Sequence, residues 1–261
     1  MAKTPVEWGN KDSFSVCQNV NVLTFYAVQS KHNRSLVYFL NFTKILILNV
    51  GSKNKLKRFR ENETFGNVLQ PSREEAMRGE FELKGKWNSD FFKNDNPIVL
   101  ELGCGKGEYS VGLANRYRDA NFIGIDIKGA RFWRGAKTAV EAGLHNVAFL
   151  RTQIELIEHF FAEGEVSEIW ITFPDPQIKY KRTKHRLTNS EFLQRYKKIL
   201  KADGVVNLKT DSEFMHGYTL GLLHGEGHEV LYANHNVYRN EGAPEVVTAI
   251  QTFYEQQYLE Q

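Results

Sequence analysis

The sequence predicts a mostly parallel, doubly wound α/β sheet with helices on both faces, and three features carry that prediction. Short apolar runs at Ile98–Leu102, 121–127, Val147–Leu150, 168–172 and 204–208 alternate with stretches of helical periodicity such as 108–117 and 130–142. The first run breaks into a glycine-rich turn, VLELGCGKG at 99–107. Glu101, Asp126, Gln153, Asp175 and Asp211 stand at or just after the ends of the runs, where sheets of this kind bind their ligands.

Each element has its own signal. Gly103, Gly105 and Gly107 let the backbone approach a ligand closely, and Asp126, nineteen residues beyond Gly107, closes the second run as an acceptor for ribose hydroxyls. A further helix is expected at 190–200, with Asn189 or Ser190 as its cap ahead of Phe192, Leu193, Tyr196 and Ile199. Asp203 and Gly204 should then turn the chain into the fifth strand.

The glycine spacing selects the ligand. A dinucleotide fold uses G-x-G-x-x-G, whereas these three glycines alternate and Glu108 occupies the place of the last one. An acid at a helix start repels a pyrophosphate. S-adenosylmethionine carries no phosphate and has a sulfonium and an ammonium group, so an acid-flanked loop suits it and Glu101 faces its charged end. The competing reading is an ordinary strand, turn and helix without a ligand.

Composition narrows the partners. The chain has 261 residues, 41% of them hydrophobic, enough for one sizeable core plus an appendage. Lysine and arginine number 34 against 31 acids, so the overall balance says little. Their placement says more: five of the eight residues at 53–60 and five of the eight at 179–186 are basic. Either run alone reads as a solvated face; together with a nucleoside platform they point to nucleic acid. Cys17 and Cys104 offer neither a disulfide framework nor a metal spacing, which suits a reducing cytoplasm.

The first fifty residues differ from the rest. The stretch 35–50 is the most apolar, but it is short for a membrane span, is interrupted by Lys44 and two asparagines, and lies too far from Met1 for a signal peptide. Residues 3–33 show neither helical nor strand periodicity. Two units are therefore expected: an extension at 1–50 and a domain at 51–261 with a basic N-terminal arm.

The sharpest motif is FPDPQIK at 173–179, where Pro174 and Pro176 restrict the direction of the Asp175 carboxylate. The plain alternative is a surface turn in which Asp175 bonds its own backbone. Because the motif runs straight into KYKRTKHR, a fixed carboxylate would stand beside a cationic loop.

With these residues in view, the chain resembles the bacterial tRNA (guanine-N7)-methyltransferases. The resemblance runs in order through GSKNKLKRF, LELGCGKGEY, FIGIDIKGAR, FPDPQIKYKRTKHRLT, VVNLKTDS and TFYEQ. It implies a class I methyltransferase (Rossmann-like) fold, S-adenosylmethionine as donor and the variable-loop guanine of tRNA as acceptor. By motif, Glu101, Gly103, Gly105, Asp126, Gln153 and Asp175 are implied to bind the cofactor, with Asp175 also catalytic. Lys179, Asp211, Thr252 and Glu255 correspond to substrate-binding positions, and Lys181, Arg182, Lys184 and Arg186 are expected on the RNA backbone. No metal or membrane is implied, and a monomer or homodimer is expected. Because the resemblance begins at Gly51, Val50 falls where such chains start, and residues 1–49 are expected to lie outside the working enzyme.

Two residues depart from the pattern. Gln153 stands where an acid or asparagine would contact adenine, although its amide still supplies a donor and an acceptor. Gln177 replaces a tryptophan and removes an aromatic face. Two other functions stay open at this level: a class I methyltransferase acting on a small molecule or protein, and a non-catalytic RNA-binding protein on the same scaffold.

Overall fold

The computed structural model of the chain describes residues 22–27, 51–238, 243–253, 255 and 256, with the backbone alone at 22–27 and 51–53. The apolar stretch 35–50 lies outside them. Eight strands form one sheet: β1 (Val22–Ala27), β2 (Val68–Leu69), β3 (Ile98–Leu102), β4 (Asn121–Ile125), β5 (Val147–Leu150), β6 (Val166–Thr172), β7 (Leu200–Thr210) and β8 (Glu229–Asn234). Their order is β2-β5-β4-β3-β6-β7-β1-β8, and every described pairing is parallel. The direction of winding reverses between β3 and β6, so the crevice beyond their carboxyl ends is the switch point of the sheet.

Strand alternation divides the core in two, because successive side chains point to opposite faces. Ile98, Leu100 and Leu102 of β3 enter one cluster with Phe192, Leu193 and Tyr196, on α5 (Ser190–Ile199), and Met215 and Leu223, on α6 (Glu213–Gly225). Val99, Val147 and Phe149 face the other way, toward α3 (Glu108–Arg116) and α4 (Gly129–Glu141). Helices therefore cover both faces, as the fully apolar runs required. Asn189 is the cap of α5; its side chain accepts the Phe192 N–H at 2.9 Å. Three further α-helices are α1 (Gly51–Asn62), α2 (Arg73–Arg78) and α7 (Glu245–Ala249).

Three expectations are revised. The second run ends as a strand at Ile125, leaving Asp126 as the first residue beyond it. Residues 203 and 204 do not precede the fifth strand but lie inside β7, whose ladder jumps from Val166↔Leu200 to Glu168↔Val205. Lys201, Ala202 and Asp203 are exposed in the resulting bulge, where the charges of Lys201 and Asp203 stay in solvent. Within 3–33, where no strand periodicity is evident, Val22–Ala27 forms β1 between β7 and β8.

Candidate active site

The turn after β3 is built by glycine. Gly103, Gly105 and Gly107 all have positive φ, at 76°, 57° and 75°, a region that side chains with a Cβ rarely enter. Gly107 is doubly constrained, since a Cβ there would lie 2.5 Å from Cε1 of buried Phe149. Cys104 N–H and Gly103 N–H both donate to the Ile125 carbonyl, at 3.0 and 2.8 Å, tying the turn to the end of β4.

Around this turn a cavity of about 530 Å³ opens at the switch point. Glu101 and Gly103 line it from β3 and the turn, Thr172 and Phe173 from the end of β6, and Thr252 from the C-terminal segment. Arg58, Lys106, Arg131 and Arg134 supply its cationic side, with the indole of Trp133 between them.

Glu101 is the buried acid of the cavity. Its Oε2 accepts from the Ser110 N–H at 2.9 Å and the Ser110 hydroxyl at 2.5 Å; its Oε1 accepts from the Thr172 hydroxyl at 2.6 Å. Burial pushes its pKa up to about 7, with the Ser110 and Thr172 hydrogen bonds opposing the shift. Neighbouring Cys104 is also buried, and burial first, then the charges of Glu101 and Asp126, holds its thiol well above the usual range. It is a packing thiol, not a nucleophile.

Asp126 serves the backbone. Its Oδ2 accepts the Gly105 N–H at 3.1 Å and its Oδ1 the Lys128 N–H at 2.8 Å, so the carboxylate fastens the glycine turn to the start of α4. Gln153 is exposed at the end of β5 and its Oε1 accepts from Arg73. Neither residue lines the cavity around Glu101.

Asp175 stands exposed on the loop after β6, with one oxygen in local use: Oδ1 accepts the Gln177 N–H at 3.0 Å. This is the backbone bond of the plain turn, and it leaves Oδ2 without a partner among the described residues. Gln177 has φ of 47°, a left-handed value that the carboxylate helps to hold. Lys179, Lys181, Arg182 and Lys184 are all exposed on the same loop and on the short helix Tyr180–His185. Asp211 lies half-buried in the turn from β7 to α6.

Arg186 corrects the expectation that it meets RNA phosphates. It is buried; its Nε and Nη2 donate to the Gln177 carbonyl at 3.2 and 3.1 Å, and its guanidinium lies over the rings of Tyr218 and Phe214 at 4.3 and 4.8 Å. With those donors spent on protein carbonyls, it braces the loop instead of gripping a ligand.

Glu255 is likewise internal. Its Oε1 pairs with the Lys209 ammonium at 2.6 Å and accepts the Tyr238 hydroxyl at 2.5 Å, with both charged side chains almost wholly buried. Burial lowers the Lys209 pKa and Glu255 opposes that shift. Lys209 Nζ also donates to the Val247 and Ile250 carbonyls, at 2.6 and 3.2 Å, so a charge on β7 holds the C-terminal segment. Thr252 and Glu255 cap each other: Thr252 N–H reaches Glu255 Oε2 at 3.2 Å, and Glu255 N–H reaches Thr252 Oγ1 at 3.3 Å. Glu108 completes the attachment by accepting the Phe253 N–H at 3.2 Å. In the sequence a lysine inside an apolar strand reads as a solvated position; the partner that keeps Lys209 buried lies forty-six residues away.

Among the described residues, no cluster of three or more His, Cys, Asp or Glu side chains is arranged to hold a metal, and no helix is long and apolar enough to cross a membrane. Residues 95–261 match the profile of a family described as "Putative methyltransferase". A tRNA (guanine-N(7)-)-methyltransferase of Christiangramia forsetii is 77% identical over 211 residues, covering 81% of this chain and 94% of that one. Proteins of the same name from Bacteroides fragilis and Cytophaga hutchinsonii are 50% and 42% identical, each over 80% of this chain and over 81% and 93% of their own. With the glycine turn, the buried acid and the switch-point cavity all in place, the chain belongs to the bacterial tRNA (guanine-N(7)-)-methyltransferase family.

Proposed function

We propose that this protein transfers a methyl group from S-adenosylmethionine to N7 of the variable-loop guanine of tRNA. The observation that carries the reading is the cavity at the switch point, with Glu101 on one wall and the Asp175 loop leading from its rim into the exposed basic run. Its volume lies within the range of small-molecule sites, and its donor set suits the cofactor: an acid for the cationic end and a turn without side chains for close approach. When bound, the cofactor supplies an electrophilic methyl on a sulfonium.

The residues then have to position and balance charge. Guanine N7 offers an in-plane lone pair and carries no proton in the neutral base, so its attack needs no general base. Positive charge appears on the purine as the methyl arrives, and a carboxylate aimed at the base opposes it. Asp175 has Oδ2 for that task, to accept the guanine N1 and N2 hydrogens, while Oδ1 keeps the loop in shape. Glu101 holds the cationic end of the donor. Asp126 shapes the turn that receives it, and Gln153 lies toward the adenine side. Thr252 reaches the cavity directly, and Glu255 acts by placing it. Lys179 and Asp211 flank the guanine, and Lys181, Arg182 and Lys184 meet the RNA backbone. The residues given roles here all lie within 51–261, in a monomer or homodimer in the cytoplasm; because β1 (Val22–Ala27) pairs with both β7 and β8, deleting residues 1–49 should remove a strand of the sheet and lower stability.

Incubation of unmodified tRNA with methyl-labelled S-adenosylmethionine, followed by nucleoside analysis, tests the reading. Label in 7-methylguanosine is expected. Label in another nucleoside, or in none, overturns it.

A further inference from the structure

Beside the cavity, helix α1 crosses the start of α4. The approach is close: Asn62 Nδ2 donates to the Gly129 carbonyl at 2.9 Å, and a Cβ on Gly129 would meet Phe59 and Arg151 at 3.1 Å. Where the helices diverge they leave a second cavity, about 690 Å³, whose lining shares Arg58, Ala130 and Arg131 with the first. The two therefore lie side by side, with Arg58 and Arg131 between them.

The second cavity is cationic with an apolar floor. Lys55, Lys128 and Arg151 line it, and no acid does. Lys55, Lys128 and Arg131 form no ion pair or side-chain hydrogen bond among the described residues, and all three are exposed. Between them Ile127 is 47% exposed, and Phe59 lies under the Arg151 guanidinium at 5.0 Å. On the first cavity's side Arg58 stacks over Trp133 at 4.9 Å, and the buried indole N–H of Trp133 has no hydrogen-bond partner among the described residues.

We infer that the α1–α4 groove is a second RNA-binding site, taking the phosphates and one unstacked base of the tRNA strand that leads into the reaction cavity. Unpaired cations spaced along a channel match a phosphodiester chain, and an apolar or aromatic floor accepts a base face without reading its edge. A small acceptor would fill the first cavity and have no use for a charged groove beside it. A polynucleotide delivering one guanine must continue on either side, and the basic loop at 179–185 provides for only one of them. The inference rests on the tRNA reading above.

The test is the double variant Lys55→Gln/Lys128→Gln in the full chain. Each neutralised phosphate contact lowers the slope of log affinity against log salt by about 0.7 to 0.9, so the pair should flatten it by about 1.4 to 1.8. At moderate salt tRNA binding should weaken roughly tenfold, while S-adenosylmethionine affinity is unchanged. Photo-crosslinking of bound tRNA should label peptides from 51–62 and 127–134. An unaltered salt slope, crosslinks confined to 179–186, or crosslinks showing that residues 28–50 of this chain fill the groove would overturn the proposal. Binding and crosslinking read the groove, whereas nucleoside analysis reads the reaction, so failure of one is distinguishable from failure of the other.

Discussion

Arg186 and Gln177 are joined across nine residues by a two-pronged bond, with Nε and Nη2 of the guanidinium both donating to one main-chain carbonyl. The acceptor residue has a left-handed backbone and stands two residues beyond the proline-flanked Asp175. The shape of the loop that presents Asp175 is thus set from two sides: by the Asp175 carboxylate on the Gln177 N–H and by Arg186 on the Gln177 carbonyl.

Arg186→Ala should therefore lower stability by about 1–3 kcal/mol and cut the rate of methyl transfer, while leaving the salt dependence of tRNA binding as it was. Arg186→Lys should not restore the rate, because one ammonium cannot replace the fork or its stacking on Tyr218. Neutralising Lys181, Arg182 and Lys184 together should do the reverse, flattening the salt slope with little change in melting temperature. Thermal denaturation and salt titration on the two variants check both halves. A flattened slope in Arg186→Ala would return that residue to the RNA surface.

Glu255 and Thr252 should separate in the same way. Glu255→Ala leaves the Lys209 ammonium buried without its carboxylate, a loss of about 3–5 kcal/mol unless the C-terminal segment detaches. Thr252→Val removes one cap bond and one polar atom on the cavity, and should cost stability only about 0.5–2 kcal/mol. A Glu255→Ala melting temperature equal to that of the parent would mean that the carboxylate serves the substrate alone.

Glu101 makes donor binding and stability respond to pH in opposite directions. Its pKa of about 7 lies above the ordinary 4.5, so between those values the folded protein holds a proton that the unfolded chain releases. The stability contributed by this group therefore falls as pH rises through that window. A cationic donor prefers the ionised form, so its affinity should rise by up to about tenfold per unit of pH below 7 and then level off. Glu101→Gln should remove this group's share of both trends and weaken donor binding at pH 8. Calorimetric titration at pH 6 and pH 8 is the measurement; a parent affinity that does not change between them defeats the assignment.

Much of this arrangement was legible in the sequence, and the parts that were not share a cause. The strands at Ile98–Leu102 and Val147–Leu150 stand where their apolar runs lie, because a strand covered on both faces has no other way to read. The glycine turn and Glu101 were legible for the same reason, since backbone freedom and an acid at a strand end leave local marks. What local patterns could not reveal is who partners whom. Arg186 looks like its exposed neighbours in KYKRTKHR until Tyr218, thirty-two residues on, comes under it. Lys209 and Glu255 become a pair only once the C-terminal segment crosses β7. Asp126 has the right residue type and position, but both oxygens go to backbone N–H groups of the turns that follow β3 and β4. The strand at Val22–Ala27 draws its place from pairing with β7 and β8, which no periodicity within 3–33 foretells.

Asp175 has two functions that substitution can divide. Its Oδ1 accepts the Gln177 N–H, a bond that an asparagine carbonyl reproduces; the charge on Oδ2 is what asparagine lacks. If the charge balances the purine as it takes the methyl, Asp175→Asn should keep the loop and the melting temperature, retain tRNA and donor affinity within about twofold, and lose methyl transfer by about 10²–10³-fold, the scale of removing one group that stabilises transition-state charge. Asp175→Ala removes the turn bond as well, so it should lose at least as much rate and add a measurable drop in tRNA affinity as the loop relaxes. Single-turnover methylation with binding measured separately distinguishes the cases. Near-parent turnover by Asp175→Asn, with the loss confined to Asp175→Ala, would make Asp175 a turn residue and move the charge-balancing role elsewhere in the cavity.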